Sequence, residues 1–238
     1  MGWCNVATLV FLTCVLVSQP RHVTKKGCVK DGNSTFRCED YIPNNVPAGV
    51  TNVILEYFST DVNIRSSLFE KSGWKNVTSL VLNNPVRSET NFSRQIVYFG
   101  HACFAELLRL EHLSIHVSFG RFVNGSFYGL NEVEILDLSN LDNMVESDLR
   151  LFFANDAFPN INSMIMYNAG TTHSSLALND YFWQMMFERS VPYIDISSPG
   201  IKTNVSAMCR YCDNIETLNM TRTTVFSTSA CNVNHARS

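Results

Sequence analysis

A nine-residue apolar pattern recurs seven times along this chain of 238 residues, and its spacing constrains the fold more than any other feature. In each copy the first, fourth and sixth places are apolar and most residues between them are polar, as in VEILDLSNL from Val133 to Leu141. The fourth-place residues, called anchors below, are Val53, Leu80, Leu113, Leu136, Met164, Ile194 and Leu218. The anchors are separated by 27, 33, 23, 28, 30 and 24 residues. A repeat of this period predicts a solenoid of stacked coils.

The spacing L-x-x-L-x-L in units of about 20–29 residues is the signature of leucine-rich repeats. Places four and six lie on one face of a short strand because side chains alternate with a period of two. One strand cannot bury that face alone, whereas stacked coils bury it together. We therefore predict an α/β leucine-rich-repeat solenoid, a curved arc with a parallel β-sheet on its concave face and irregular loops and short helices on its convex face. An ordinary α/β domain with short buried strands is the alternative.

The segments that return between strands are also patterned. A Phe and an aliphatic residue precede three of the strands, and we expect them to fill the interior of the coils. These residues are Phe104, Leu107 and Leu110, then Phe127, Leu130 and Val133, then Phe158 and Ile161.

The composition suits one elongated unit with a large core. Hydrophobic residues make up 45% of the chain and charged residues 16%. The net charge is −3, without a long run of one sign, so the sequence shows no nucleic-acid preference and no polybasic membrane patch.

The N-terminus predicts export. Residues 6–17 form an apolar run of signal-peptide length, too short to span a membrane, and a buried N-terminal strand or helix is the alternative. We predict a signal peptide over 1–18, an N-terminal cap over 19–49 and a solenoid of about seven repeats over 50–238, open or truncated at its C-terminus. No later apolar stretch has the length of a membrane span, so we expect a secreted or extracellular protein.

N-glycosylation sequons and cysteines support this compartment. The predicted glycosylation sites are Asn33, Asn76, Asn91, Asn124, Asn204 and Asn219. Cys4 and Cys14 lie in the predicted signal peptide. Cys28 and Cys38 bracket a short loop just before the first repeat, and a disulfide between them would close a polar cap over the first coil.

Four further cysteines leave alternatives open. Cys209 or Cys212 with Cys231 is a reasonable pairing, and the remaining partners, including Cys103, stay unassigned. A zinc site would need a second ligand pair near the C-x2-C motif, and a thioredoxin-like site would need a strand before it and a helix after it.

These features together resemble the N-terminal part of a Toll-like receptor ectodomain. The resemblance rests on the predicted signal, the cysteine-closed cap and repeats of the F-x2-L-x2-L-x2-L-x-L type, and it covers residues 28–225. It implies a non-enzymatic role in innate immunity as a pattern-recognition ectodomain or soluble decoy. It also implies homodimers or heterodimers with another leucine-rich-repeat receptor. Adhesion and matrix proteins carry similar repeats, so a secreted structural protein of the extracellular matrix is the alternative.

The chain departs from that family at the ninth place of the repeat, which usually holds Asn. Here no repeat has Asn at that place, and Asn84, Asn140 and Asn168 fall one position earlier. We therefore expect irregular convex loops.

Enzyme motifs such as G-x-S-x-G, H-E-x-x-H and the P-loop are missing, and no cofactor is expected. His112 and His116 invite a metal interpretation, but four residues of a strand span roughly 13 Å, too far for one ion. A pH-sensing role is a further alternative.

Function is then expected to reside on the concave face, where places three, five and seven of each repeat point outward. The middle of that face forms a candidate patch for a protein or glycan ligand, with an ordinary solvated face as the alternative. The predicted ligand-binding residues are His112, Ser114, His116, Asp137, Tyr167, Tyr193 and Asp195. A glycan on Asn219, at the fifth place of the last repeat, would obstruct one end of this face.

Overall fold

The computed structural model describes residues 27–84, 95–141, 144–170 and 175–226. The predicted signal peptide, Asn91 and Cys231 lie outside the described residues. Within them, nine strands form one sheet that runs the length of the solenoid.

The sheet begins with an antiparallel hairpin of β1 (Gly27–Asp31) and β2 (Thr35–Glu39). Cys28 and Cys38 lie opposite each other in this hairpin and form the predicted disulfide. β2 then pairs in parallel with the first repeat strand, so the hairpin covers the end of the first coil. The hairpin is fixed further by a salt bridge of 2.8 Å between Arg37 and the buried Glu56.

Seven parallel strands continue the sheet, one from each predicted repeat. They are β3 (Asn52–Glu56), β5 (Ser79–Asn83), β7 (His112–His116), β9 (Ile135–Asp137), β10 (Ser163–Ile165), β12 (Tyr193–Asp195) and β14 (Thr217–Asn219). Each anchor pairs with the anchor of the next coil, from Val53 beside Leu80 to Ile194 beside Leu218. The predicted fold class is therefore confirmed. We number the coils one to seven by these strands.

The return segments carry short helices together with regular structure that the sequence did not reveal. One parallel sheet contains β4 (Val62–Ile64), β6 (Ile96–Phe99) and β8 (Ser118–Phe122), and another contains β11 (Leu176–Leu178), β13 (Ile201–Asn204) and β15 (Thr224–Phe226). The α-helices are α1 (Glu146–Phe152), α2 (Asp180–Glu188) and α3 (Val205–Tyr211), and 3-10 helices cover Ser66–Leu68 and Ser72–Asn76. These strands begin at uneven distances from their anchors, so no repeat pattern exposes them.

The core lies between the main sheet and the return segments. In coils one to six the fourth- and sixth-place side chains are fully buried, and so are the Phe and aliphatic residues predicted to fill the coils. Phe69, Phe104, Phe127 and Phe158 stack coil upon coil, with ring centroids 5.7, 6.0 and 5.8 Å apart. We call these four residues the Phe spine. Leu218 and Met220 of coil seven are only partly buried, since no later coil packs on them in the described part of the chain.

Candidate functional site

The concave face is built from places three, five and seven of the seven coils, as predicted. Most of these side chains are half-buried because neighbouring strands flank them. Two tyrosines stand out from the face: Tyr167 is 53% exposed and Tyr193 is 37% exposed. The most accessible surface in the middle of the face is therefore aromatic.

Asp and Asn residues at the fifth place end the strands of coils four, six and seven. Asp137 and Asp195 each accept the backbone N–H two residues later, from Ser139 and Ser197, at 2.9 Å. Asn219 accepts the corresponding N–H of Thr221 at 3.3 Å. Such turns offer the backbone a local partner and compete with the sheet ladder. The three strands that end at these residues are three residues long, as is β10, which ends at Ile165, whereas β3, β5 and β7 run for five.

The first group of predicted ligand residues clusters on coils three and four. His116 Nε2 lies 3.0 Å from Asp137 Oδ2, across the pairing of β7 with β9. Burial by itself raises the pKa of Asp137, but hydrogen bonds from His116 and Ser139 outweigh it and hold that pKa below its usual value. On the same strand, Ser114 Oγ and His112 Nε2 are 3.1 Å apart, and burial lowers the pKa of His112. Ser114 itself is only 3% exposed.

The second group lies on coils five and six. β10 separates the Asp137 strand from the Asp195 strand, so the two carboxylates do not meet. Asp195 Oδ1 accepts the Ser197 N–H, and its Oδ2 accepts from Asn219 Nδ2 at 3.2 Å. Both carboxylates thus serve intramolecular bonds that shape the face. The side chains of Tyr167 and Tyr193 remain exposed to a ligand.

The hydroxyl of Ser197, on the coil next to that of Tyr167, was not among the predicted ligand groups. Ser197 is 5% exposed, and its Oγ is buried without a hydrogen-bond partner among the described residues. In coil seven, the equivalent Thr221 hydroxyl donates to Asn219 Oδ1 at 2.8 Å. In coil six the second Asp195 oxygen is already occupied by Asn219. The sequence motif D-x-S hints at the turn but cannot reveal that the hydroxyl is left over.

Two of the asparagines that fall at the eighth place instead of the ninth bond to each other. Asn168 Nδ2 donates to Asn140 Oδ1 at 3.0 Å, linking coils five and four. Asn140 and Asn168 have φ values of 60° and 54°, and Tyr57 and Arg222 at the same place have 56° and 68°. Asn tolerates this left-handed backbone better than most residues. The displacement of Asn140 and Asn168 is therefore explained by their left-handed backbone, which Asn84 does not share.

The surroundings of the described cysteines outside the disulfide favour a structural role over a redox role. Cys103 is buried, donates from Sγ to the Ser126 carbonyl at 3.3 Å, and has its pKa raised by burial. Cys209 lies in α3 and Cys212 follows at its C-terminal end. Thiolates are stabilised at helix N-termini, so this placement does not suit a redox motif. The pairing of Cys209, Cys212 and Cys231 stays a prediction.

No cluster of three or more His, Cys, Asp or Glu side chains in the described ranges is arranged to hold a metal ion. The helices within those ranges are also too short or too polar to cross a bilayer.

The described sequons differ in what their asparagines do. Asn33 lies in the hairpin turn and Asn76 ends a 3-10 helix on the surface. Asn124 Oδ1 accepts from Asn155, and Asn204 Oδ1 caps α3 by accepting the Ser206 N–H at 3.0 Å. Asn219 donates from Nδ2, the atom that would carry a glycan, to Asp195. Glycosylation of these sites stays a prediction.

Comparison with known proteins adds a likeness at the level of the fold. No protein-family model and no curated protein matches the chain. Among solved structures it is similar to the crystal structure of the mouse RP105/MD-1 complex, with 14% sequence identity and a TM-score of 0.44. The match covers 82% of this chain and 39% of that one, so the chain spans about two fifths of its length. This likeness concerns the fold alone.

Proposed function

We propose that the protein is a non-enzymatic extracellular recognition protein, a Toll-like pattern-recognition ectodomain or its soluble decoy form. It binds a microbial or host macromolecule on its concave face. The observation that carries this proposal is the unbroken register of seven coils, which presents one continuous face with exposed tyrosines at its middle. Flat, rigid, aromatic surfaces of this kind suit macromolecular recognition because little side-chain entropy is lost on binding.

The extracellular location is supported by the chemistry of the chain. The Cys28–Cys38 disulfide closes the hairpin, and disulfides persist in oxidising compartments. The predicted glycosylation sites fit the same compartment.

Association with a second leucine-rich-repeat chain is part of the proposal. β14 and β15 are edge strands of their sheets in the described part of the chain, and Val225 and Phe226 on β15 are 46% and 40% exposed. Exposed edges and apolar side chains favour further pairing.

Two experiments test the proposal. The first fractionates source tissue into membrane and soluble parts and applies a glycosidase before immunoblotting. A glycosidase-sensitive band supports export, and a band that is insensitive and cytosolic contradicts it. A soluble band near the mass of this chain favours a decoy, and a much larger membrane band favours a receptor ectodomain.

The second experiment measures binding of the secreted protein to immobilised microbial cell-wall fractions and to collagen fibrils. Tyr193→Ala on the concave face is compared with Tyr128→Ala, whose side chain is 55% exposed on a return segment. We expect cell-wall binding that Tyr193→Ala weakens and Tyr128→Ala leaves unchanged. Binding to collagen alone, unaffected by Tyr193→Ala, would favour the matrix alternative instead.

A further inference from the structure

Two polar side-chain atoms of the concave face, His116 Nε2 and Ser197 Oγ, are buried without a hydrogen bond of good geometry in the described part of the chain, and only His116 Nε2 has a charged neighbour, Asp137 Oδ2 at 3.0 Å. Buried polar groups are nearly always hydrogen-bonded, and an unsatisfied one costs free energy that a partner would recover. Ser197 Oγ has no hydrogen-bond partner within the described residues, although the residue is only 5% exposed. The hydroxyl is therefore available to a group that the described residues do not provide.

The surroundings of Ser197 indicate where that group would come from. The Asn168 N–H donates to the Ser197 carbonyl at 2.9 Å, which places the seventh-place residues Tyr167 and Ser197 on adjacent coils. Tyr193 lies on the same strand as Asp195, two residues earlier, and so faces the same side as Ser197. The buried hydroxyl thus lies next to the coil that carries the exposed Tyr167, whereas the exposed Tyr193 lies four residues, or about 13 Å, along the same coil as Ser197.

The charged side chains around Ser197 restrict the class of ligand that this part of the face can bind. In coils four to seven, places three, five and seven hold no Lys or Arg. The carboxylate of Asp137 is engaged by His116 and Ser139, and that of Asp195 by Ser197 and Asn219. Without Lys or Arg at these places, coils four to seven of the face offer no side-chain cation to a phosphate or sulfate, and the hydrogen-bonded carboxylates of Asp137 and Asp195 disfavour anionic ligands further.

We propose that Tyr167 and Ser197 form a subsite for one neutral sugar ring of a microbial or host glycan, and that Tyr193, about 13 Å further along the face, contacts a neighbouring ring of the same glycan. This inference rests on the proposed function and names the ligand class of the same face. An aromatic ring packs against the C–H face of a sugar, and a hydroxyl both donates to and accepts from sugar hydroxyls. Because Tyr167 is half-exposed, a change in its rotamer gives a sugar hydroxyl access to Ser197.

The test uses the full secreted chain, with its own N-glycans trimmed to one N-acetylglucosamine so that they do not compete. Binding of laminarihexaose, mannohexaose and chitohexaose is measured by isothermal titration calorimetry, with heparin hexasaccharide as the anionic comparison. We expect at least one neutral hexasaccharide to bind and heparin not to bind. Ser197→Ala should weaken that binding about fivefold to tenfold, and Tyr167→Ala about tenfold or more.

Two controls separate a binding role from a structural one. Ser197→Ala removes a buried unsatisfied hydroxyl, so its thermal midpoint should equal or exceed that of the wild type. Ser139→Ala is the matched variant, since Ser139 holds the same place in coil four but its side chain bonds to Asp137. Ser139→Ala should leave sugar affinity unchanged.

The outcomes distinguish this inference from the proposed function. Binding of a neutral sugar that Ser197→Ala and Tyr167→Ala do not weaken overturns the subsite. Failure of all three neutral sugars, or preference for heparin, overturns it as well. If the protein still binds a cell-wall fraction in a Tyr193-dependent way, the recognition function stands with another ligand class. If cell-wall binding is also lost, both fail.

Discussion

Phe127 is the residue on which the interior of the solenoid depends most. Its ring is 1% exposed and packs against the rings of Phe99, Phe104, Phe122, Phe152 and Phe158, with the Phe152 centroid only 3.9 Å away. Replacing a buried Phe by Ala typically costs about 3–5 kcal/mol, and each aromatic pair adds about 0.5–1.5 kcal/mol beyond burial. We therefore expect Phe127→Ala to cost about 4–5 kcal/mol of unfolding free energy.

Phe182 is the matched comparison, because it is equally buried at 1% but its ring pairs with that of Trp183 and not with the rings around Phe127 in the described part of the chain. Phe182→Ala should cost about 3 kcal/mol, at the low end of the range for buried Phe. Tyr128→Ala, next to Phe127 in sequence but exposed, should stay within about 0.5 kcal/mol of the wild type.

Urea unfolding followed by tryptophan fluorescence measures these costs. Trp74 and Trp183 are buried in coils on either side of Phe127, so each reports on its own half of the solenoid. Because each coil packs mainly on its neighbours, loss of Phe127 should also separate the two transitions. The reasoning is refuted if Phe127→Ala costs no more than Phe182→Ala, because ring packing in the spine would then add nothing to burial.

Three further predictions follow from other parts of the structure. Removing the Cys28–Cys38 disulfide by double Ser substitution should lower the unfolding free energy by roughly 2–3 kcal/mol, measured by urea unfolding, and no change would show that the hairpin holds without it. The pKa of Asp137 is lowered, so its stabilisation is present above its unfolded pKa of about 3.9 and is lost as the pH falls through the folded value. Asp137→Asn should therefore lower the thermal midpoint at pH 7 but not at pH 2, and equal losses at both would remove the electrostatic explanation. Gly73→Ala places a Cβ 2.0 Å from the Val46 carbonyl oxygen, so we expect a reduced thermal midpoint, and an unchanged one would mean that the loop before the first repeat yields freely.

The asparagines show how local backbone geometry can mislead a repeat alignment. A family pattern places Asn at the ninth position, and by that measure the loops here looked irregular. The left-handed backbone falls at the eighth place in this chain, and Asn140 and Asn168 follow it. The sequence contained the signal, but its meaning depended on a φ angle that the apolar pattern does not encode.

The sequence by itself determined the solenoid, the register of its seven strands, the disulfide in the hairpin and the residues that fill the coils. It could do so because each of these depends on spacing within one repeat or between neighbouring repeats, and a parallel stack converts equal places into direct contacts. The tertiary structure alone decided which concave groups remain available. It showed that His116, Asn219 and the backbone bond to Asp137 and Asp195, whose role as ligand residues stays a prediction. Ser197 looked ordinary until its hydroxyl was found without a partner in the described part of the chain, because Asn219 of the next coil takes the second Asp195 oxygen, a contact that the sequence of one coil does not encode.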